Sequence, residues 1–415
     1  MVATIRAMER WDVIIIGGGA AGLVAAGATA GKSLKVLVCE KKHRTGLKVG
    51  ISGKGRGNVT NDKPVETFIE GYRAGGSWLH SAFARFFVAD TIELLERREV
   101  PCVVERGGRV FPQSGKAGDV VNALYRFARH DGAAVRTKAP VEEIKREKNG
   151  FSLRIGNQWL AADKVILAAG GQSYPATGST GDGFRLAAAL GHTIVPTHPA
   201  LAPLVVKNLP ADLKLHLRNV TVALYDGKRK TADGFGEALL ENGTIGGPVP
   251  IGFARDVPDL QAPRLLIDLK PALDPPKLDT RLQRDLAADG KAPLKKVLQG
   301  LLPKALIPLF IEKLELDEQK RCAEVDKKTR KAIGDLCKRW ELPVVGVGEW
   351  STALVTAGGV DLAEVDPRTM ESKKVPNLFL CGEVLDIDGI SGGYNLQAAF
   401  STGYVAGRAA AGYVT

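Results

Sequence analysis

The residues best suited to chemistry near the start of the chain are Gly17, Gly19 and Gly22, in Gly-x-Gly-x-x-Gly order, and Glu40. Bare backbone at Gly17 and Gly19 admits a pyrophosphate where a Cβ would block it, and Gly22 lets the following helix pack closely. That helix aims its unpaired N–H groups and positive dipole end at the phosphates. Glu40 can accept both hydroxyls of an adenosine ribose and disfavours a 2′-phosphate, which favours FAD or NAD over NADP. The elements that must position these groups read as a strand of β-branched residues from Trp11 to Ile16, a helix, and a second apolar strand from Val36 to Cys39 that stops at Glu40. Together they make one βαβ unit. Residues 13 to 31 carry no charge, but they are too rich in Gly and Ala for a membrane span.

Residues 45 to 61 form a glycine-rich segment, expected as a loop, with too many glycines for a helix and too much charge for a core. Its backbone N–H groups can wrap a phosphate, with Lys48 and Arg56 as counter-charges. From Lys41 to Arg56 six cations occur with no acid between them, and Lys41 lies beside the nucleotide end. Near the other end, a buried strand running from Val375 to Glu383 leads through Gly382 and Glu383 to the pair Gly392-Gly393 and a small-residue helix from about Tyr394 to Ala411. A carboxylate at such a strand end suits a ribityl hydroxyl. The positive helix tip suits the flavin edge that gains negative charge on reduction.

Between these ends the character of the chain changes. Apolar residues recur at helical spacing from Ser77 to Glu99, and a helix is expected from Ala117 to His130. Segments around 135–144 and 151–160 read as antiparallel strands, followed by a buried strand from Lys164 into Gly170-Gly171. Thr177 to Gly183 reads as a glycine-rich turn before a helix capped by Asp182. Prolines at 196, 199 and 203 open a stretch of short alternating segments, residues 271–343 are lysine-rich and helical, and Val344 to Gly348 leads back toward the sheet. The expected organisation is a nucleotide domain at 1–195 and 357–415, an inserted β domain at 196–270 and 344–356, and an inserted helical domain at 271–343.

The 415 residues exceed what one core usually holds. Five scattered cysteines without Cys-x-x-Cys spacing speak against a metal site or disulfide framework and suit a reducing cytoplasm. Residues 1–10 show no export signal. The net charge of +11 fits either a nucleic-acid partner or plain solubility.

The Gly17 motif, the segment from Lys48 to Asn61, Gly178 to Gly183, Met370 to Lys373 and Gly382 to Gln397 together resemble the HI0933-like (BaiN-type) flavoproteins. The resemblance spans nearly the whole chain. It implies an α/β, FAD-binding Rossmann-like domain with two dinucleotide-binding motifs, an inserted β domain and an inserted helical domain. It also implies cofactor contacts at Gly17, Gly19, Gly22, Glu40, Lys48, Ser52, Arg56, Asn58, Gly382, Glu383, Gly392, Gly393, Asn395 and Gln397. Where relatives carry a cysteine after the Gly-Arg pair this chain has Gly57, so a thiol near the flavin is missing, and the middle motif is altered at Asn242 to Pro248. Both departures place the chain in a divergent branch.

The resemblance implies FAD as cofactor and an FAD-dependent oxidoreductase with hydride exchanged between flavin and a carbon beside a polarised bond. With a single Gly-x-Gly-x-x-Gly, NAD(P)H is expected as a diffusible co-substrate that visits the flavin. Three readings stay open: reduction of uracil to dihydrouracil in ribosomal RNA held by the basic surface, redox of a small-molecule enone or amine, and an RNA-associated protein that keeps FAD structurally. No catalytic acid is identified. Cys381, His192, His198 and Tyr174 are the polar groups to inspect, and neither a metal nor a membrane is expected.

Overall fold

The computed structural model describes residues 8–31, 33–73, 75–210 and 212–413. Residues 1–7, where the sequence shows no export signal, lie outside the described residues. The chain forms two compact units, one running up to Ala200 and resuming at Trp350, the other Leu201–Glu349.

The first unit is built on strand Glu9–Ile16, whose last four residues are buried. It pairs in parallel with Val36–Cys39 on one edge and with Gln158–Leu167 on the other, and Ala134–Arg136 extends the sheet beyond Val36–Cys39. The free edge of Gln158–Leu167 is shared. Its first half takes the antiparallel strand Gly150–Ile155, with Glu143–Glu147 beyond, and its last three residues pair in parallel with Leu378–Leu380. Strands from the first and last hundred residues therefore lie in one sheet, with Ile14, Val165 and Leu378 in one register row.

Helix Ala20–Ala28 has eight of nine residues buried and no charged side chain. Such a helix must be covered on all sides. One cover is the terminal helix Tyr394–Ala410, where a Cβ built at Gly403 or Gly407 would lie under 3.0 Å from the carbonyl oxygens of Ala21 or Ala25. Small residues let the two backbones touch. A three-stranded sheet, Thr60–Asn61, Arg109–Pro112 and Cys102–Glu105, flanks the start of that terminal helix.

In the second unit, strands Leu204–Val206, Thr244–Gly246, Arg229–Glu241, Lys214–Asp226, Pro263–Asp268 and Trp340–Val347 close into a barrel. Its interior is filled by fully buried Leu240, Ile245, Val222, Leu224, Leu265 and Ile267. Helices Pro275–Ala288, Leu294–Leu301, Ile307–Lys313 and Lys327–Lys338 complete the unit.

Several local expectations need correction. The glycine-rich segment holds a helical turn, Leu47–Ile51, which accommodates Gly50, while the glycines at positive φ, Gly46, Gly53, Gly55 and Gly57, all lie outside it. The periodic stretch from Ser77 to Glu99 breaks into Ser77–Leu79, His80–Phe83 and Val88–Glu96. The last strand shrinks to Leu378–Leu380, since Asn377 and Gly382 adopt left-handed conformations on either side. Val344 to Gly348 does not lead back to the nucleotide sheet; most of it belongs to the barrel strand Trp340–Val347. Among the described residues no helix is long and apolar enough to cross a membrane, and no group of three or more His, Cys, Asp or Glu side chains could hold a metal.

Candidate functional site

At the carboxyl end of the sheet the three motif glycines have different duties. Gly17 has φ +107° and lies against the Ala168 backbone, while a Cβ at Gly22 would collide with Gly17 O. Gly19 is different: nothing lies within 4 Å of where its Cβ would stand. It is the N-cap of helix Ala20–Ala28 and receives no side-chain cap, so the helix tip opens onto free space. The expectation that Gly17 and Gly19 both make way for a ligand is thus corrected, because Gly17 is taken up by packing.

Glu40 is oriented by two backbone donors, Gly18 N–H at 2.9 Å and Lys42 N–H at 2.7 Å, one to each oxygen. Each oxygen keeps a lone pair for a hydroxyl. Lys41 Nζ pairs with Asp182 at 2.6 Å and donates to Thr180 Oγ1, which ties the Thr177 to Gly183 loop to the tip of the second strand. Asp182 therefore does not cap its helix; Gly181, at φ +80°, is the N-cap. Burial would raise the Asp182 carboxyl, and Lys41, with Thr180 and Arg185 behind it, more than offsets that and holds it below its ordinary range.

A second cluster joins four segments. Lys48 Nζ meets the Glu383 carboxylate at 2.7 and 3.0 Å and also donates to Ser173 Oγ, and the Glu383 Oε1 atom accepts from Ser173 Oγ at 3.0 Å and from Thr356 N–H at 2.8 Å. Lys48 and Glu383 are only 27% and 19% exposed, so the pair is weakly screened. Gly382 brings this cluster to the first motif, since a Cβ there would stand 2.8 Å from Ala21 Cβ. Sequence reasoning missed Ser173 and Thr356. The signal available was position: Ser173 follows Gly170-Gly171 closely, and Thr356 precedes Gly358-Gly359.

The third cluster surrounds the start of the terminal helix. Gly392 and Gly393 have φ of +113° and +104°, and Gly393 is pressed on the Thr60 backbone. With its amide oriented to satisfy its neighbours, Asn58 accepts from Gly393 N–H at 3.2 Å and donates to Val110 O and Thr60 O. Asn61 donates to Gly392 O at 3.0 Å and Gly107 O at 3.2 Å. Asn395 clamps Gly389 through both its N–H and its carbonyl, at 2.7 and 2.8 Å. Beside this helix start Thr60 Oγ1 and Asn61 Oδ1 are buried without a partner.

Three of the expected contacts point elsewhere. Gln397 is 0% exposed, accepts from Thr91 Oγ1 at 2.9 Å and donates to Ser401 Oγ at 3.0 Å, so its amide serves helix packing. Ser52 Oγ donates to Val49 O at 2.7 Å. The Arg56 guanidinium pairs with Glu105 and lies 4.3 Å over the Phe111 ring. Hydroxyl, amide and guanidinium types all have satisfying local partners, and the sequence pattern cannot distinguish those from a ligand.

Among the polar groups inspected as acids, Cys381 is fully buried, and burial pushes its thiol far above the ordinary range. His192 sits between Glu364 at 3.0 Å and Ser372 Oγ at 2.9 Å; burial lowers its pKa, with Glu364 opposing. That chain is a buried tie, since Ser372 Oγ also accepts from Val375 N–H at 2.8 Å. Asp386 stands out. Burial first and the Asp388 carboxylate second push its carboxyl above the ordinary range, against a hydrogen bond from the Gly358 backbone and the charge of His198.

A family model described as the HI0933-like protein Rossmann domain matches residues 11–409. The chain belongs to the HI0933-like family. It is 33% identical to the 3-dehydro-bile acid delta(4,6)-reductase of Clostridium scindens over 96% of this chain and 98% of that protein. It is 29% identical to the ribosomal RNA dihydrouridine synthase of Escherichia coli over 96% of this chain and 97% of that protein. Among solved structures, the FrdA chain of E. coli quinol fumarate reductase matches with a TM-score of 0.50 and 16% identity, covering 97% of this chain and 70% of that one, a likeness of fold. This HI0933-like chain thus has the Rossmann-type, FAD-binding fold with a small inserted barrel. Its open helix tip at Gly19, the oriented carboxylate of Glu40 and the orphaned polar atoms at Thr60 and Asn61 fit a dinucleotide such as FAD.

Proposed function

We propose that this chain, an FAD-dependent oxidoreductase of the HI0933-like family, reduces a carbon–carbon double bond conjugated to a carbonyl in a small molecule. The observation that carries the reading is the meeting of Gly19, Glu40, Lys48 and Glu383 along the carboxyl edge of one sheet, supplied by both ends of the chain. FAD, when bound, supplies a two-electron hydride carrier. In this reading the helix tip at Gly19 holds the diphosphate and Glu40 the adenosine ribose. Glu383, fixed by Lys48, Ser173 and Thr356, takes the ribityl chain, and the Gly392-Gly393 helix start steadies the ring. Asp386 holds a proton beyond the usual carboxylate range and is the group we assign to protonating the substrate carbon next to the carbonyl.

The bile acid reductase relative favours a small enone. Uracil carries the same conjugated grouping, but part of the insert's basic charge is neutralised within the fold: Lys295 pairs with Glu318 at 2.9 Å and Lys296 with Asp289 at 2.8 Å. Residues 201–349 hold 25 Lys and Arg against 21 Asp and Glu, so the insert is close to balanced.

The test offers FAD-loaded protein and NADPH a steroid 4,6-dien-3-one and, separately, a uridine-containing ribosomal RNA fragment, with products read by mass spectrometry. Gain of two hydrogens by the steroid supports the reading, and gain by the RNA alone refutes it. Asp386→Asn should keep its FAD, react more slowly and lose the fall in rate with rising pH that deprotonation of a general acid produces.

A further inference from the structure

We propose that the hairpin rim formed by Arg106 and Arg109 docks the phosphates of the nicotinamide dinucleotide that reduces the flavin. The inference rests on the functional reading above and adds the site where the reductant binds.

The rim is one strand away from the start of the terminal helix. Thr60–Asn61 pairs with Arg109 and Val110, so Arg109 is the cross-strand partner of Asn61. The Asn61 amide bonds at once to Gly107 O in the hairpin tip and to Gly392 O at the helix start. The Arg109 stem comes within 4.0 Å of where a Cβ on Gly392 would stand. This places the hairpin beside the edge assigned to the flavin ring.

The cations there are available. Arg106 and Arg109 are exposed, and among the described residues Arg106 has no ion-pair partner. Arg109 spends its Nε on Arg106 O at 3.3 Å and leaves its two terminal nitrogens free. The neighbouring acids are Glu105, which is taken up by Arg56, and Asp62, which is followed by Lys63. Positive charge therefore outweighs negative around the hairpin, and free guanidinium forks suit phosphate oxygens. The rim is short, which suits the few phosphates of one dinucleotide better than a polynucleotide track. The docked reductant would give up a hydride with its electron pair from the nicotinamide ring, becoming oxidised by two electrons as the flavin is reduced by two, with one proton drawn from solvent.

The experiment follows anaerobic reduction of the bound flavin by NADPH, NADH and dithionite in wild type and in R106E/R109E. We expect the variant to keep its FAD and its dithionite reduction, while reduction at low NADPH slows at least tenfold, by an amount that shrinks in high salt. NADP⁺ titration of the oxidised protein should weaken in parallel. If the double reversal disturbs FAD content, the single exposed change R106Q should still weaken NADP⁺ binding with FAD retained. Unchanged NADPH reduction and NADP⁺ binding would overturn the proposal. So would a wild type that holds FAD yet is reduced only by dithionite, which leaves FAD binding intact. A wild type that takes up no FAD overturns the functional reading as well. Competition by oligouridylate without any NADP⁺ binding would assign the rim to RNA instead.

Discussion

Substitution at Gly19 should separate ligand binding from folding. Gly19 has φ −85° and ψ −164°, an extended conformation open to any residue, and a Cβ there meets nothing within 4 Å. Gly19→Val should therefore leave the FAD-free protein within about 1 kcal/mol of wild type, the margin of replacing a glycine N-cap by valine. Gly22→Ala should not, because its Cβ falls under 3.0 Å from the Gly17 carbonyl. In the loaded protein the added side chain occupies the space we assign to the diphosphate. A charge-assisted hydrogen bond from a helix-tip N–H contributes about 1.5–3 kcal/mol. Losing one of them weakens FAD by roughly ten- to a hundred-and-fiftyfold. With FAD at a hundred times the wild-type Kd, the bound cofactor adds about 2.7 kcal/mol of stability. A variant binding a hundredfold more weakly keeps only about 0.4 kcal/mol of that. Chemical denaturation of both proteins with and without FAD reads all four numbers. The reasoning is refuted if FAD-free Gly19→Val is destabilised as much as Gly22→Ala, or if its FAD-induced stabilisation equals that of wild type.

Three further outcomes are expected. Gly403→Ala forces apart the helices Ala20–Ala28 and Tyr394–Ala410 and should cost about 1–3 kcal/mol in urea unfolding; a neutral result would mean the helices separate freely. Lys48→Met leaves the Glu383 charge with Thr356 N–H and Ser173 alone, and at this partial exposure should cost about 1–3 kcal/mol, much of it restored in the Lys48→Met/Glu383→Gln double variant. Additive losses would show that the pair is not coupled. For Glu364, burial raises the carboxyl but hydrogen bonds from Lys374 and Thr193 outweigh it and bring the pKa down to about 2 from an ordinary 4.5. A carboxyl lowered in the folded state stabilises above its unfolded value and loses that stabilisation as pH falls. Thermal unfolding should therefore drop between about pH 4.5 and 2 more steeply in wild type than in Glu364→Gln, and equal slopes would contradict the assignment.

The βαβ unit was legible because its signals agree: β-branched strands, a small-residue helix and glycines in one register. The terminal helix was legible for the same reason. What the sequence could not reveal is which partner a polar side chain selects. Gln397, Ser52 and Arg56 bond to neighbours in the fold, as do Asn58 and Asn395 around the helix start, and nothing in their type or spacing announced those partners. Ser173 and Thr356 were hidden because a lone hydroxyl beside glycines carries no periodicity. The helical turn Leu47–Ile51 was masked by composition, since glycine count outweighed glycine position. The barrel strand Trp340–Val347 was hidden by Pro343, Gly346 and Gly348, although it pairs on both sides, with Leu204–Val206 and Pro263–Asp268.

The edge of Gln158–Leu167 that receives Leu378–Leu380 has a consequence for biogenesis. During vectorial synthesis the ribosome releases the first strands and the entire barrel insert before the polypeptide that seals this edge exists. Until then the apolar flank of helix Ala20–Ala28 lacks its cover from Tyr394–Ala410. The nascent molecule must carry an unfinished hydrophobic seam through much of translation. It becomes able to capture its yellow prosthetic group only once Tyr394–Ala410 has been made, and a ribosome stalled within the insert would hold a chaperone client instead of an enzyme.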